Sequence, residues 1–383
     1  MSCRSGTLLY LPDNLRSCCP HYTIRLPADK LKPSHHQRKA SNRWNKYVLG
    51  DTYIKEAAKK YPKSRAEKRN NEFNLATSVH EAEYSSLKGR TPPEPEHRFE
   101  VNLEPDTFSE EKYKLFENYQ AHVHNEPPPH TTPAGFKRFL CSSPLTRHDS
   151  PDKPLGSYHQ CYRLDGRLIA MGVLDLLPHC VSGVYFIYQQ DFEKWTFGKL
   201  SALREAELAL TRGYQYYYMG YYIHSCKKMK YKNEYRPQYM LDLRSFQWDP
   251  LDDSLLALLD QKKFVSMSEE RKLAENGRPD TEMTDVIEVS SEDTAGVAQP
   301  IDEGTSLFDV SFPGVMSLED LERTVDLDEC RVRVQNLIVK TKDLMAWESG
   351  DATDPQSLKG IIAEMMACVG PEVAREAVVR FGK

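Results

Sequence analysis

The sequence predicts an α+β domain built on one mixed sheet, with shorter segments of contrasting charge on either side. Three observations lead there: a long hairpin pattern around Asp165-Gly166, a well-marked helix over about 197–212, and a tyrosine-rich strand directly after it. With 39% hydrophobic and 10% aromatic residues among 383, the chain can enclose a sizeable core.

The elements follow in order. Residues 1–54 mix short apolar runs with Pro12, Pro20, Pro27 and Pro33, and read as a small domain remnant of loops and strands. Residues 55–97 turn to Lys, Arg, Glu, Asn and Ser and end in Thr91-Pro92-Pro93-Glu94-Pro95, the composition of a basic linker. The main domain, 98–248, opens on the alternating strand Phe99-Glu100-Val101-Asn102-Leu103. Ser109 before Glu110 and Glu111 starts a helix, with Tyr113, Phe116 and Tyr119 at helical spacing and Pro127-Pro128-Pro129 ending it. A second helix covers about 132–140.

Two β patterns, Gly156–Leu164 and 167–175, flank Asp165-Gly166. Both residues of a two-residue hairpin turn need positive φ, which Asp-Gly supplies readily. A third strand covers 183–188. The helix at 197–212 shows a stripe of Ala202, Ala206 and Ala209 beside Leu203 and Leu210, and Gly213 stops it. The strand at 215–223 follows. This order suits the acetyltransferase-like (GNAT-like) fold, in which the N-terminus of such a helix points at an anionic ligand. Gly198-Lys199 occupies that end, but the glycine-rich phosphate loop of coenzyme A users is missing, so another ligand is expected.

Residues 249–316 are predicted to be acidic and largely disordered after an amphipathic helix at 251–263 (Leu251, Leu255, Leu258, Leu259). Residues 317–383 read as a small helical end, with Leu358, Ile361, Ile362 and Met365 at helical spacing. The net charge of -5 hides an asymmetry: 21–70 holds 14 Lys and Arg against 4 acids, and 251–329 holds 21 acids against 6 Lys and Arg. A basic block of that kind suits a polyanion, with a plain basic linker or nuclear-localisation segment as the alternative. The nine scattered cysteines do not suggest a disulfide framework. Neither an apolar leader nor a run of about twenty apolar residues occurs, so a cytoplasmic or nuclear address is expected, with no membrane partner. No particular oligomeric state is indicated.

Three stretches carry a resemblance. The first is Cys18-Cys19-Pro20-His21-Tyr22-Thr23-Ile24-Arg25, followed by Gln37-Arg38-Lys39 and Asn42-Arg43-Trp44-Asn45. The second runs from Gly156 to Asp175-Leu176-Leu177-Pro178, with Ser201-Ala202-Leu203-Arg204-Glu205 after it. The third is Tyr217-Tyr218-Met219-Gly220-Tyr221-Tyr222-Ile223-His224-Ser225-Cys226-Lys227-Lys228, closing at Tyr235-Arg236-Pro237. Together, over roughly residues 5–245, they resemble the eukaryotic, and in the tail fungal, arginyl-tRNA-protein transferase family. The resemblance implies transfer of arginine from Arg-tRNA to the α-amine of proteins beginning with Asp, Glu or oxidised Cys, which marks them for ubiquitin-dependent degradation through the N-degron pathway. A relative that only binds tRNA or such N-termini is the alternative, and an acetyl-coenzyme A acetyltransferase a third. Family members carry a Cys-x-x-Cys before the double cysteine, and the four thiolates suit zinc or an iron–sulfur cluster. The chain is expected to be N-terminally truncated relative to them, leaving Cys18 and Cys19 as an incomplete metal site. Transfer itself requires no cofactor.

Within that resemblance the residues divide by chemistry. An arginyl ester is already activated, so the site must present a neutral amine, of ordinary pKa about 7.7–8.0, and stabilise an oxyanion. Asp175 is expected to hold the amine or the arginyl guanidinium, or else to cap its strand. Glu205 is a second guanidinium partner, or else an exposed helix acid. His224 is placed to relay a proton, or else is structural. Lys230, Arg236, Ser225 and Lys199 are substrate-binding candidates, and Tyr218 or Tyr222 would flank the terminal adenosine beside Gly220. Arg38, Lys39, Arg43 and Lys46, with Lys227 and Lys228, are expected to meet tRNA phosphates.

Overall fold

A computed structural model describes residues 3–62, 64–65, 73–126, 131–276, 304–310, 312–345 and 347–381. Strands β1 (Cys3–Ser5) and β2 (Leu8–Tyr10) form a small hairpin, and β3 (Tyr22–Pro27) follows. Ser34 starts the long helix α1 (His35–Lys60) through a capping box: its hydroxyl accepts from the Gln37 amide, and the Gln37 side chain accepts from the Ser34 amide. Short helices α2 (Leu75–His80) and α3 (Tyr84–Leu87) lead to β4 (Phe99–Pro105). Helix α4 (Glu110–Tyr119) is capped by Ser109, and α5 (Pro133–Leu140) by Thr132 with Pro133 in its first turn. The proline triplet expected to end α4 lies outside the described residues.

Strands β5 (Gly156–Leu164) and β6 (Arg167–Leu177) form the expected hairpin, with Asp165 at φ 52° and Gly166 at φ 82° in the turn. Then come β7 (Cys180–Tyr188), α6 (Phe197–Thr211), β8 (Tyr216–Tyr222), β9 (Tyr239–Leu241) and β10 (Trp248–Pro250). These strands make one eight-stranded sheet in the order β10-β9-β3-β8-β7-β6-β5-β4, in which β7 and β8 are parallel and the other neighbours antiparallel. The α+β class with a mixed sheet is as expected. Helix α6 lays Ala202, Leu203, Ala206 and Ala209 against this sheet, in a core with Leu174, Val181 and Tyr217.

The segments differ from expectation in four places. Residues 1–54 are not a separate remnant: β3 lies inside the sheet between β9 and β8, and Ile24 and Leu26 are fully buried. Its partners lie far away in sequence, Pro27 pairing with Tyr216 and Tyr22 with Tyr222, so no local pattern could announce the pairing. Much of 55–97 is likewise built into the fold, because its few aliphatics, Leu75, Val79 and Leu87, are buried, and Glu83 is buried with them.

The amphipathic helix expected at 251–263 is α7 (Asp253–Gln261), with Leu255 and Leu259 buried; beyond it, in the stretch read as disordered, α8 (Met267–Asn276) is folded. Asp242 accepts from the Ser266 hydroxyl and the Ser268 amide, and the Val265 amide donates to the Tyr22 hydroxyl at 2.9 Å. These polar locks hold the start of α8, where no hydrophobic period could be read. Residues 277–303 of that segment lie outside the described residues. The C-terminal end is not purely helical. Besides α9 (Leu318–Thr324), α10 (Leu358–Val369) and α11 (Pro371–Glu376), it has a three-stranded sheet of β11 (Arg331–Val334), β12 (Leu337–Lys340) and β13 (Val378–Arg380). Arg331-Val332-Arg333-Val334 alternates at period two, a strand signal, and Val332 alone of its valines is buried.

Helix α6 is also held by charge. Arg204 pairs with Glu83 and donates to the Val79 carbonyl at 2.8 Å, and His80 bridges Glu207 at 3.0 Å and Glu83 at 2.9 Å. Hydrogen bonds to Glu207 and Glu83 raise His80 from 6.5 to about 9. Its stabilising contribution is therefore complete below pH 6.5 and lost as pH rises through 9. The imidazole is 37% exposed, so the effect is on the order of 1 kcal/mol after solvent screening. Urea unfolding should show a decline in stability between those pH values that is absent in His80→Gln.

Candidate active site

Strands β7 and β8 pair only from Cys180 to Ser182 against Tyr216 to Tyr218, then part. Beyond that point β7 continues along β6 and β8 along β3. Glycines stand at the parting. Gly220 has φ 71°, and a Cβ there would lie 3.2 Å from the Gly183 carbonyl oxygen; a Cβ on Gly183 would lie 3.0 Å from Glu205 Oε2. The Glu205 carboxylate thus sits directly beneath the divergence.

Glu205 is 4% exposed and accepts a 2.6 Å hydrogen bond from the Tyr217 hydroxyl. Burial raises its pKa to about 7, against the lowering effects of that bond and of the positive charge on Lys232. The Lys232 ammonium donates to the carbonyls of Met219 and Tyr221, on either side of Gly220, at 2.8 and 2.7 Å. Tyr231, whose phenol burial pushes up to about 12, and Tyr235 follow in the same turn. The Tyr235 hydroxyl donates to the Lys199 carbonyl at 3.2 Å, and Lys199 pairs with Glu234 at 3.0 Å, so this turn is pinned to the N-terminus of α6. A carboxyl group poised near neutrality beneath a gap between splayed strands is suited to exchanging a proton with a reacting group.

Residues 3–39 match the family model described as arginine-tRNA-protein transferase, N terminus, and 111–242 the model described as its C terminus. Both segments are thus similar to the arginyltransferase family. The first matched segment supplies β3 and the second β8, its neighbour. Arginyl-tRNA--protein transferase 1 of Saccharomyces cerevisiae is 34% identical over 290 residues, covering 70% of this chain and 53% of the relative. Its namesake in Arabidopsis thaliana is 40% identical over 183 residues, covering 45% and 29%. An aspartate/glutamate leucyltransferase of Pseudomonas fluorescens is 37% identical over 141 residues, covering 36% and 54%. The chain thus spans about half or less of the length of these curated relatives. A solved C-terminal domain of a putative lysylphosphatidylglycerol synthetase from Agrobacterium fabrum aligns at 10% identity with a TM-score of 0.29, covering 67% of this chain and 65% of that one, too slight a likeness to inform the fold.

Of the residues expected in the arginyltransferase site, Glu205 stands at the divergence and Lys199 at its edge. Glu205 is not an exposed helix acid; α1 and α2 cover the outer side of α6. Asp175 is buried on β6, accepting from the Ser157 hydroxyl at 2.6 Å. It alternates with Leu174 and Leu176, which pack in the α6 core, and so faces the other side of the sheet. His224 has both ring nitrogens engaged, one with the Tyr222 hydroxyl and one with Asp260, each at 2.7 Å, so it fastens α7 to the end of β8. Tyr222 is fully buried in the same arrangement. Tyr218 lies on the face opposite Tyr217 and accepts from Arg25 at 3.2 Å. Ser225, Lys227, Lys228 and Lys230 are exposed just beyond β8. Arg236 points elsewhere, to the Leu251 carbonyl and Asp253.

On α1, Lys39, Arg43 and Lys46 are exposed, Arg38 half-buried. Arg43 donates to the Lys194 carbonyl at 2.6 Å, and Lys46 pairs with Asp51 at 3.2 Å. The Cys18 and Cys19 sulfurs are 3.3 Å apart, and the neighbouring thiol raises the pKa of Cys18. A closed zinc or cluster site takes four ligands, and among the described residues no group of three or more His, Cys, Asp or Glu gathers to hold a metal. These two thiols therefore do not by themselves fit such a group. Tyr217 and Lys232 escaped notice as partners of Glu205, because only the parting of two strands brings them together. Among the described residues no helix is long and apolar enough to cross a membrane.

Proposed function

We propose that the chain transfers arginine from Arg-tRNA to the α-amine of proteins beginning with Asp, Glu or oxidised Cys, in the cytoplasm or nucleus, as a mark of the N-degron pathway. The reaction is placed at the divergence of β7 and β8, in an acetyltransferase-like arrangement. The observation that carries this reading is the buried Glu205 carboxyl, near pKa 7 and bonded to Tyr217, beneath that gap.

The amine nitrogen attacks the ester carbonyl carbon, and the carbonyl oxygen takes up the displaced electron pair. Lys232 supplies positive charge beside the gap to stabilise it. The proton released by the nitrogen passes through the Tyr217 hydroxyl to ionised Glu205. When the bond from carbon to the ribose oxygen breaks, the same proton returns to that oxygen, so the products are an amide and a free ribose hydroxyl. Exposed Lys227, Lys228 and Lys230 provide positive charge at the rim for tRNA phosphate and for the acidic first residue.

The leucyltransferase relatives define the test of donor choice. Arg-tRNA and Leu-tRNA, each labelled on the amino acid, would be offered with a peptide beginning with Asp. Arginyl label is expected on the peptide; leucyl label alone would reassign the donor.

A further inference from the structure

Outside the β7 and β8 divergence, two adjoining cavities of about 620 and 1000 Å³ share Asp29, Lys30, Leu210 and Tyr239 in their walls. The smaller holds Arg25, whose guanidinium is clamped 4.0 Å over the Tyr216 ring and 3.9 Å over the Trp248 ring. Such stacking fixes a guanidinium plane and leaves only its edge for hydrogen bonds. One edge group, Nη1, donates to the Tyr218 hydroxyl; Nε is buried with no hydrogen-bond partner. The larger cavity continues past Lys30 to Lys32 and Arg38.

None of Arg25, Lys30, Lys32 and Arg38 forms an ion pair with a described residue, whereas Arg147, Arg163, Arg167, Arg204 and Arg271 all do. Asp29 and Asp252 are the only carboxylates in the two linings, so the groove is net positive. Tyr239, at the junction, stacks on no other described ring. An acidic side chain would need one cation. Several unpaired cations spread through two connected cavities, with an unstacked aromatic ring between them, fit a chain of phosphates carrying a stackable base.

We propose that this groove binds a nucleic-acid strand, with Arg25, Lys30, Lys32 and Arg38 on its phosphates and a base on Tyr239. Since Tyr216 and Arg25 lie on the sheet face opposite Glu205, it is a second contact for tRNA, remote from the reacting ester; its occupant rests on the proposed tRNA-dependent function.

Binding of unacylated tRNA to the full chain, measured across a salt series, tests it. Lys30→Glu with Lys32→Glu should weaken binding at least about tenfold and flatten the salt slope by about 2. Tyr239→Ala should weaken it about tenfold, and Tyr239→Phe, which keeps the ring, should bind within about twofold of the unaltered chain. Lys114→Glu with Lys272→Glu, an equal charge change at exposed positions elsewhere, should have little effect. The two lysines are exposed, so their variant reports even if Tyr239→Ala fails to fold. Unchanged tRNA binding in the groove variants, alongside intact binding by the unaltered chain, overturns the groove alone. Loss of affinity for an Asp-initiated peptide with tRNA binding unchanged assigns the groove to the protein substrate and also overturns it. No tRNA binding by the unaltered chain removes the functional reading and the groove together.

Discussion

Glu205→Gln is expected to lower the arginyl-transfer rate by about 10²- to 10⁴-fold without unfolding the chain. The amide fills the same space and can still accept from Tyr217, but it cannot take up a proton. In the unaltered protein, activity should rise with pH through about 7 as Glu205 ionises, on top of the ordinary rise from amine deprotonation. The variant should keep only the second rise. Stability should move the other way. The folded state holds a proton on Glu205 that the unfolded chain releases near 4.5, so folding loses stability as pH climbs from 4.5 to about 7. Glu205→Gln has no such loss. A variant that is inactive yet relatively more stable at pH 8 than at pH 5, compared with the unaltered chain, would mark a buried proton carrier. Equal activity would remove Glu205 from the chemistry.

Glu83→Ala is expected to be the most damaging single change outside the strands, costing about 3–5 kcal/mol. It strands Arg204, whose side chain is only 8% exposed, with the Val79 carbonyl as its remaining described acceptor. Removing both charges should be milder, because two apolar side chains of similar volume need no partner. Glu83→Met with Arg204→Met is therefore expected to unfold at a higher urea concentration than Glu83→Ala. If the single and double variants lose the same stability, the pair carries no coupling. Since α6 presents Glu205 one residue after Arg204, the single variant should also lower transfer through misplacement of that carboxyl.

What could be read along the chain was whatever local chemistry dictates. Ser109 caps the helix it was expected to cap, a second helix lies within 132–140 as expected, and Asp165-Gly166 makes the turn its positive φ values allow. The α6 helix and its alanine stripe were legible for the same reason: the period of burial is the period of the helix. What depends on distant partners was not. Tyr22-Thr23-Ile24-Arg25-Leu26 looks like any short strand, and only pairing with β8 and β9 makes it an interior one.

The site divides along the same line. Glu205 was identifiable as an acid worth watching, yet its burial and its bond to Tyr217 arise from two strands parting above it. His224 and Asp175 had the right chemistry for a proton relay or an amine anchor, but a side chain satisfied by Asp260 and Tyr222, or by Ser157, is already spoken for. Arg25 was part of a matching stretch without a role, since nothing in sequence reveals that a cation will be clamped by rings and left without an acid.

The most direct measurement is mass spectrometry of an Asp-initiated peptide after incubation with the chain and Arg-tRNA, beside the same peptide with an acetylated amine. The free peptide is expected to gain one arginine residue at its N-terminus and the acetylated one to remain unchanged. An unmodified free peptide, under conditions where the chain demonstrably binds tRNA, would contradict arginyl transfer by this protein.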